Sequence, residues 1–197
     1  MAECNTSCGA CIDSDSRAEL VRLMPEIEKI KDEALREAVV KTWLSALESC
    51  HHTPQVLVEM PASSRLKDRC FGLIHHVRGV CQVAEAAYAT FYSLFPEPPV
   101  RLNPDIIIAG ALLHDVGKVA ELEKGKDGWQ WTPQSHYVRH AYTGVAYAAR
   151  NGVPDSILQI IAYHTGEEVV VPRSAEAEVV HIADDMVFKP FFCRPVQ

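Results

Sequence analysis

The chain has 197 residues, a length that fits one domain, and its 48% hydrophobic and 23% charged residues are a normal globular balance. This composition excludes an intrinsically disordered protein, and no apolar run approaches the about 18 residues of a transmembrane helix. The net charge of −7, with all nine histidines counted as neutral, argues against broad binding to nucleic-acid phosphates. We therefore expect one hydrophobic core and binding to neither a membrane nor an extended nucleic acid.

Three of the seven cysteines lie close to the N-terminus, at Cys4, Cys8 and Cys11. Their spacing can hold three corners of an iron–sulfur cluster. It can also hold zinc, with Cys50 or His51 as a fourth ligand. The simpler interpretation, which we prefer, is a tail in which these cysteines are incidental.

The odd number of cysteines favours reduced thiols. The N-terminus lacks the basic region and apolar core of a signal peptide, so a cytoplasmic location is expected. We predict a flexible cysteine-bearing tail over residues 1–13 and a single helical domain over residues 14–197.

The first half of the domain has helical periodicity. N-cap oxygens at residues 14–16 precede an apolar series from Leu20 to Leu47, which Pro25 kinks or divides. Residues 51–68 break the pattern and are predicted to form a loop. A long helix is predicted next, from about Asp68 to Phe95.

The second half opens with a helix that is apolar on all sides, as expected for a central buried helix. Asn103 caps it, Pro104 occupies its first turn, and Gly117 is expected to end it. A loop or small hairpin is predicted over residues 120–134, and helices over about 135–150, 155–164 and 174–188. An α/β fold is disfavoured because the two strand-like stretches are short. The fold class is therefore all-α, a compact bundle of about six to eight helices.

Histidine and aspartate side chains recur in these apolar stretches. His114 and Asp115 follow the central helix, where adjacent side chains can bind one ion if the helix ends against a cavity. Taken alone, such a pair is more often a helix-end cap or an ion pair than a metal site. Further polar side chains lie in other apolar stretches, at His76, His140, His164 and Asp184. An unpaired polar group there costs about 1–3 kcal/mol, which a shared metal ion would offset.

This series resembles the H…HD…D signature of the HD-domain metal-dependent phosphohydrolase superfamily. The resemblance runs from about Gly72 to Val187, over half of the chain, and we take residues 68–190 as the core motif region. The matching motifs are Gly72–His76, Leu112–Lys118 and His181–Asp184. His140 with Gly144, and His164 with the residues that follow it, are similar to the two extra histidines of the dinuclear branches.

The resemblance implies a compact HD-domain bundle with one or two divalent transition-metal ions. Imidazole and carboxylate donors suit Fe, Mn, Zn or Ni, and Mg less well. The implied ligands of the first ion are His76, His114, Asp115 and Asp184, and those of the second are His140 and His164, with Asp115 bridging. The implied reaction is hydrolysis of a phosphoester in a small phosphorylated substrate, such as a nucleotide or a phosphodiester.

Three ligand positions have a neighbouring competitor. We prefer His76 over His75, Asp184 over Asp185 and His140 over His136. The preferences rest on Val80 four residues after His76, on the His-x-x-Asp spacing from His181 to Asp184, and on Gly144 four residues after His140.

Lys118 is predicted to act in catalysis beside Asp115 by binding a phosphate oxygen. Its alternative role is a cation that a helix dipole favours. His136 and Arg139 are further candidates for substrate binding, and the alternative for both is an exposed surface position.

The nearest likeness is to the HD domain of bacterial 3′-to-5′ exoribonucleases, which carry an oligonucleotide-binding barrel that this sequence does not show. Extended RNA is therefore not an expected substrate. Two alternative functions remain open: a di-iron HD-type oxygenase acting on a small molecule, and a non-catalytic metal-binding regulatory module. The oligomeric state is not predicted.

Overall fold

The computed structural model describes residues 14–63, 71–165 and 171–193. Within these residues the α-helices and β-strands are, in chain order, α1 (Ser14–Leu23), α2 (Glu33–Ser49), α3 (Val56–Glu59), α4 (Leu73–Leu94), α5 (Pro104–Leu113), α6 (Lys118–Glu121), β1 (Leu122–Gly125), β2 (Gly128–Trp131), α7 (His140–Arg150), α8 (Asp155–Tyr163) and α9 (Ala175–Phe188). The predicted all-α bundle is confirmed. None of the helices in these ranges combines the length and apolar character that crossing a membrane requires.

The predicted tail with Cys4, Cys8 and Cys11 lies outside the described residues, so those predictions stay predictions. The first residues of the predicted long helix and the segment directly after Thr165 also lie outside them.

Three local expectations are refined by the structure. Pro25 begins a separate 3-10 helix, Pro25–Lys29, because a proline fits best in a first turn. The loop expected over residues 51–68 contains the short helix α3. The helix expected from residue 135 begins only at His140, since residues 133–136 form a 3-10 turn capped by the Thr132 side chain.

The central helix α5 fixes the position of the site. Asn103 caps it as predicted, since its side chain accepts a hydrogen bond from the Asp105 backbone N–H. Residues 107–113 are all buried, and α5 contacts α2, α4, α8 and α9. The Trp43 indole N–H donates to the Leu112 carbonyl oxygen at 3.0 Å, which ties the end of α5 to α2. The chain that leaves α5 therefore emerges in the middle of the bundle.

Gly117 has a different role from the one expected. The helix α5 ends at Leu113, and Gly117 has φ −67°, which any residue can adopt. A Cβ atom at Gly117 would instead overlap the carbonyl oxygen of His140 and lie 2.7 Å from the backbone nitrogen of Gly144. Glycine is needed here because the turn after α5 lies directly against the first turn of α7.

A buried ion pair joins the 3-10 helix to α4. The carboxylate of Glu26 is 4% exposed and accepts hydrogen bonds of 3.0–3.1 Å from the Arg78 guanidinium. Burial disfavours the charged carboxylate, but the hydrogen bonds from Arg78 and Gln82 outweigh burial and lower the pKa of Glu26. Arg78, two residues beyond His76, is thus held by Glu26 and orients this part of α4.

The contact at Gly117 gives a stability prediction. Gly117→Ala should lower the free energy of unfolding by about 1–3 kcal/mol, because overpacking forces backbone to move. The matched control is Gly79→Ala in α4, where the added Cβ would meet only the two methyl groups of Val187, at 3.2 and 3.6 Å. Urea unfolding followed by circular dichroism measures both. Equal stabilities of the two variants would contradict the close approach.

Candidate active site

All six side chains predicted as metal ligands lie together in the structure. They form two triads, which are His76, His114 and Asp184, and Asp115, His140 and His164. Within each triad the donor atoms lie within 4.8 Å of one another. Five of the six residues are buried, and the side chain of Asp184 is 18% exposed.

Helix ends supply most of this cluster. His114 and Asp115 come directly after α5, and His164 comes directly after α8. His140 is the first residue of α7, and His76 is the fourth residue of α4. Because side chains at helix ends are not surrounded by their own helix, several can converge on one point.

The Asp115 carboxylate faces both triads. Its Oδ2 lies 3.2 Å from His76 Nε2 and 3.3 Å from His114 Nε2. Its Oδ1 lies 3.4 Å from His140 Nε2 and 3.5 Å from His164 Nε2. Neither oxygen has a hydrogen-bond partner of good geometry among the described residues, although Lys118 Nζ lies 2.6 Å from Oδ2. One carboxylate oxygen is therefore directed at each triad.

The donor spacing fits transition-metal ions. His76 Nε2 lies 3.2 Å from His114 Nε2 and 3.1 Å from Asp184 Oδ1, and the Nε2 atoms of His140 and His164 are 3.3 Å apart. Donors about 2.1 Å from an ion are separated by about 3.0 Å at right angles and about 3.4 Å in a tetrahedron. The combination of imidazole nitrogen and carboxylate oxygen suits Fe, Mn, Zn or Ni. The residues present therefore fit the group that the sequence implied.

Backbone carbonyls fix the tautomer of two histidines. His114 Nδ1 lies 2.7 Å from the Ala111 carbonyl oxygen, and His164 Nδ1 lies 2.8 Å from that of Ile161. A carbonyl oxygen only accepts, so each Nδ1 carries the proton and donates it. The lone pair on each Nε2 is then directed at the cluster, which is the form of imidazole that binds a metal.

Glu121 contacts a third histidine of the cluster, His140, and was not identified from the sequence. Its buried carboxylate places Oε2 3.1 Å from His140 Nδ1 and accepts a 2.9 Å hydrogen bond on Oε1 from Arg139 Nε. Burial disfavours ionisation, but His140 and Arg139 outweigh it and lower the pKa of Glu121. The available signal was a lone acidic residue between Ala120 and Leu122, directly after the Leu112–Lys118 motif.

The two aspartates of the cluster are ionised at neutral pH. Burial raises the pKa of Asp115, but Lys118 and His114 outweigh it and hold that pKa well below its usual range. For Asp184, burial is likewise outweighed, mainly by the hydrogen bond with His76, and the pKa falls to about 2. Both carboxylates are therefore charged and able to bind a cation.

The cluster forms the floor of a cavity of about 380 Å³. Lys118 lines it, and Nζ of Lys118 also donates to the Ala62 carbonyl oxygen at 2.7 Å. Arg139 lines it as well, whereas His136 is exposed and is not among the described lining residues. The structure thus places Lys118 and Arg139 at the site, and His136 outside it.

The competing residues lie elsewhere. His75 is exposed, and its Nδ1 accepts a hydrogen bond from the Gly72 backbone N–H at the start of α4. Asp185 lines the cavity but forms an ion pair with Lys189 and belongs to neither triad. The structure therefore puts the preferred member of each pair into the cluster.

A family model described as the HD domain matches residues 73–187, more than half of the chain. The chain belongs to the HD domain family. It is 32% identical over 170 residues to the dihydroneopterin 2′,3′-cyclic phosphate phosphodiesterase of Methanocaldococcus jannaschii, a match covering 83% of this chain and 67% of that protein. The predictions of the superfamily and of a metal-dependent phosphohydrolase are confirmed by these matches.

Two ribonucleases also match, over shorter stretches. The chain is 35% identical over 86 residues to ribonuclease Y of Borrelia garinii, and this match covers 43% of this chain and 14% of that protein. It is 32% identical over 127 residues to the 3′-5′ exoribonuclease YhaM of Bacillus licheniformis, and this match covers 58% of this chain and 38% of that protein. No solved structure matches.

The shared position of Asp115 predicts that its removal affects both triads. Asp115→Ala, and the isosteric Asp115→Asn, should abolish both metal retention and turnover. Elemental analysis of protein purified without added metal measures this. The control is Asp185→Asn, which should retain wild-type metal content. Wild-type metal content in both Asp115 variants would exclude the proposed ligand role.

The contact between Glu121 and His140 predicts a selective effect. Glu121→Gln should weaken metal binding at the triad that contains His140 by about 10–100-fold, because the charged partner of the ligand is lost. Titration with a chelator should then remove one class of ion earlier than in the wild type. Glu123→Gln, an exposed change on β1, is the matched control, and identical titrations of the two variants would rule out this role.

Proposed function

We propose that this protein hydrolyses a phosphodiester bond in a small nucleotide-like substrate at a dinuclear metal centre. The observation that carries the proposal is the position of Asp115, with one carboxylate oxygen directed at each triad of donors. A carboxylate in this position could be shared by two ions, one held by each triad, and such a pair would supply two-metal hydrolytic chemistry.

The chemistry of the site divides between the metal ions and the protein. When bound, such ions supply an activated water and positive charge for the phosphate oxygens. The six ligand residues hold the ions, and the carbonyl contacts of His114 and His164 keep both Nε2 atoms directed at them. Because these groups are already in place before substrate binds, little reorganisation is needed during the reaction.

Lys118 is the proposed phosphate-binding residue. Its side chain is only 13% exposed, and its ammonium group lies beside Asp115 at the floor of the cavity. A phosphate placed over the metal ions would therefore lie within reach of the lysine. The flexible stem lets Nζ donate to a phosphate oxygen as a point charge.

Three observations support a small cyclic phosphodiester as substrate. The M. jannaschii relative is named for a 2′,3′-cyclic phosphate, that of dihydroneopterin. The cavity of about 380 Å³ is near the lower end of the range for small-molecule sites, which favours a mononucleotide over an extended chain. The net charge of −7 also opposes binding of a long polyanion. A cytoplasmic location stays a prediction from the sequence.

Metal analysis combined with a substrate panel tests the proposal. The panel is 2′,3′-cyclic AMP, bis(p-nitrophenyl) phosphate and p-nitrophenyl phosphate, with released product measured at fixed metal content. We expect two Fe, Mn, Zn or Ni ions per chain and cleavage of the diesters. Two iron ions with oxygen consumption and no diester cleavage would instead support the oxygenase hypothesis. Bound metal with no turnover on any substrate would support the regulatory module.

Lys118→Gln separates the role in phosphate binding from a role in metal binding. It should lower kcat for diester cleavage by about 100-fold, since one preorganised charge is lost, and leave the metal content unchanged. Lys41→Gln on α2, where the lysine side chain is 47% exposed, is the matched control. Unchanged kcat in Lys118→Gln, or loss of metal together with activity, would contradict the proposed role.

A further inference from the structure

The cavity has two chemically different parts. Its floor is the charged cluster, of which Lys118 and five of the six proposed ligands, all but His114, line the cavity. Its rim carries three aromatic side chains, which are Trp131 at the end of β2, Phe188 at the end of α9, and Phe192 in the 3-10 helix after α9. The charged floor suits a phosphate group, but the aromatic rim does not, because aromatic rings contribute little to binding a phosphate.

Trp131 is part of an ordered pair on the hairpin side. The guanidinium carbon of Arg139 lies 5.0 Å from the centre of the Trp131 ring, within the range of a cation–π contact. Arg139 is itself held by the 2.9 Å hydrogen bond from its Nε to the buried Glu121. The indole remains 38% exposed although it lines the cavity. The hairpin side therefore presents a planar surface whose position is fixed before any ligand binds.

Phe188 and Phe192 form a second pair on separate elements. Their ring centres are 4.8 Å apart at 51°, and Phe188 also lies edge-on to the ring of His76 at 5.9 Å. Phe192 is 46% exposed. Phe188 thus contacts a proposed metal ligand on one side and an exposed rim residue on the other. A molecule held at the metal ions can extend from there along the aromatic rim.

We propose that Trp131, Phe188 and Phe192 form a subsite for the planar heteroaromatic ring of the substrate. This inference rests on the proposed function, since it assumes that the phosphate binds at the cluster. Each face of a nucleobase or a pterin is an apolar π-surface that stacks on aromatic side chains, and such stacking contributes about 1–3 kcal/mol per base. The ring and its phosphate together match one small ligand in a cavity of this volume.

The first test compares two substrates that differ only in the ring. These are 2′,3′-cyclic AMP and the 2,3-cyclic phosphate of 1-O-methylribose, which has no base. Wild-type protein should cleave the first with a KM about tenfold lower than the second. Trp131→Ala and Phe192→Ala should each raise the KM for 2′,3′-cyclic AMP by about three- to tenfold and leave kcat and the KM of the ring-free substrate unchanged. Trp131→Phe, which keeps an aromatic ring, should have a KM for 2′,3′-cyclic AMP close to that of the wild type.

Tyr137→Ala is the matched control, because Tyr137 is 89% exposed and does not line the cavity. The inference is wrong if the wild type shows equal KM for both substrates, or if the rim variants raise both KM values equally. Failure to cleave either substrate would contradict the proposed function instead. The ring subsite is then tested by the binding measurement below.

The second test needs neither metal nor turnover. Isothermal titration measures binding of adenosine, of neopterin and of ribose to the protein treated with a chelator. Adenosine or neopterin should bind and ribose should not. Trp131→Ala should raise the Kd of the ligand that binds by about tenfold. Tighter binding of neopterin than of adenosine assigns the subsite to a pterin, and the reverse assigns it to a purine. Absence of binding by both rings would overturn the proposal.

Discussion

A carboxylate buried in an apolar bundle is the constraint on which this site depends. Asp115 is 1% exposed, follows a helix whose last seven residues are all buried, and stays ionised beside Lys118 and His114. Burying a charge costs several kcal/mol unless partners compensate it. As neutral imidazoles with their protons on Nδ1, His114 and His164 cannot donate from Nε2, although these nitrogens lie 3.3 and 3.5 Å from the carboxylate. A divalent cation bound between the carboxylate and these imidazoles would resolve this conflict.

Helix termini explain why the ligands are oriented as they are. A helix leaves its last carbonyl oxygens unpaired, and its C-terminal end carries a partial negative charge that favours cations. His114 and His164 stand directly after α5 and α8, so each Nδ1 donates to a carbonyl of its own last turn and each Nε2 is directed at the cluster. His140 begins α7, where the unpaired backbone groups are N–H donors. Its Nδ1 therefore needs an acceptor from outside the helix, and Glu121 provides one.

The sequence was informative where chemistry is local and uninformative where it depends on packing. Asn103 and Pro104 predict the start of α5, and the position of His114 at the end of an apolar run predicts its place beside a cavity, because both signals lie within a few residues. The role of Gly117 was misjudged because the contact that demands glycine comes from the backbone of α7, more than 20 residues away. Glu121 was missed for the same reason, since nothing near it in the chain shows that its partners are His140 and Arg139.

Glu121 also connects the two parts of the cavity. One carboxylate oxygen lies at the proposed metal ligand His140, and the other holds Arg139 against Trp131 at the rim. The side chains of Trp131 and Phe192 are partly exposed, so their replacement alters the rim without opening the buried cluster. A change at Glu121 would affect both parts of the cavity, because its carboxylate contacts His140 on the floor and Arg139 at the rim. The proposed metal ligand His140 and the proposed ring subsite are therefore linked through this one carboxylate.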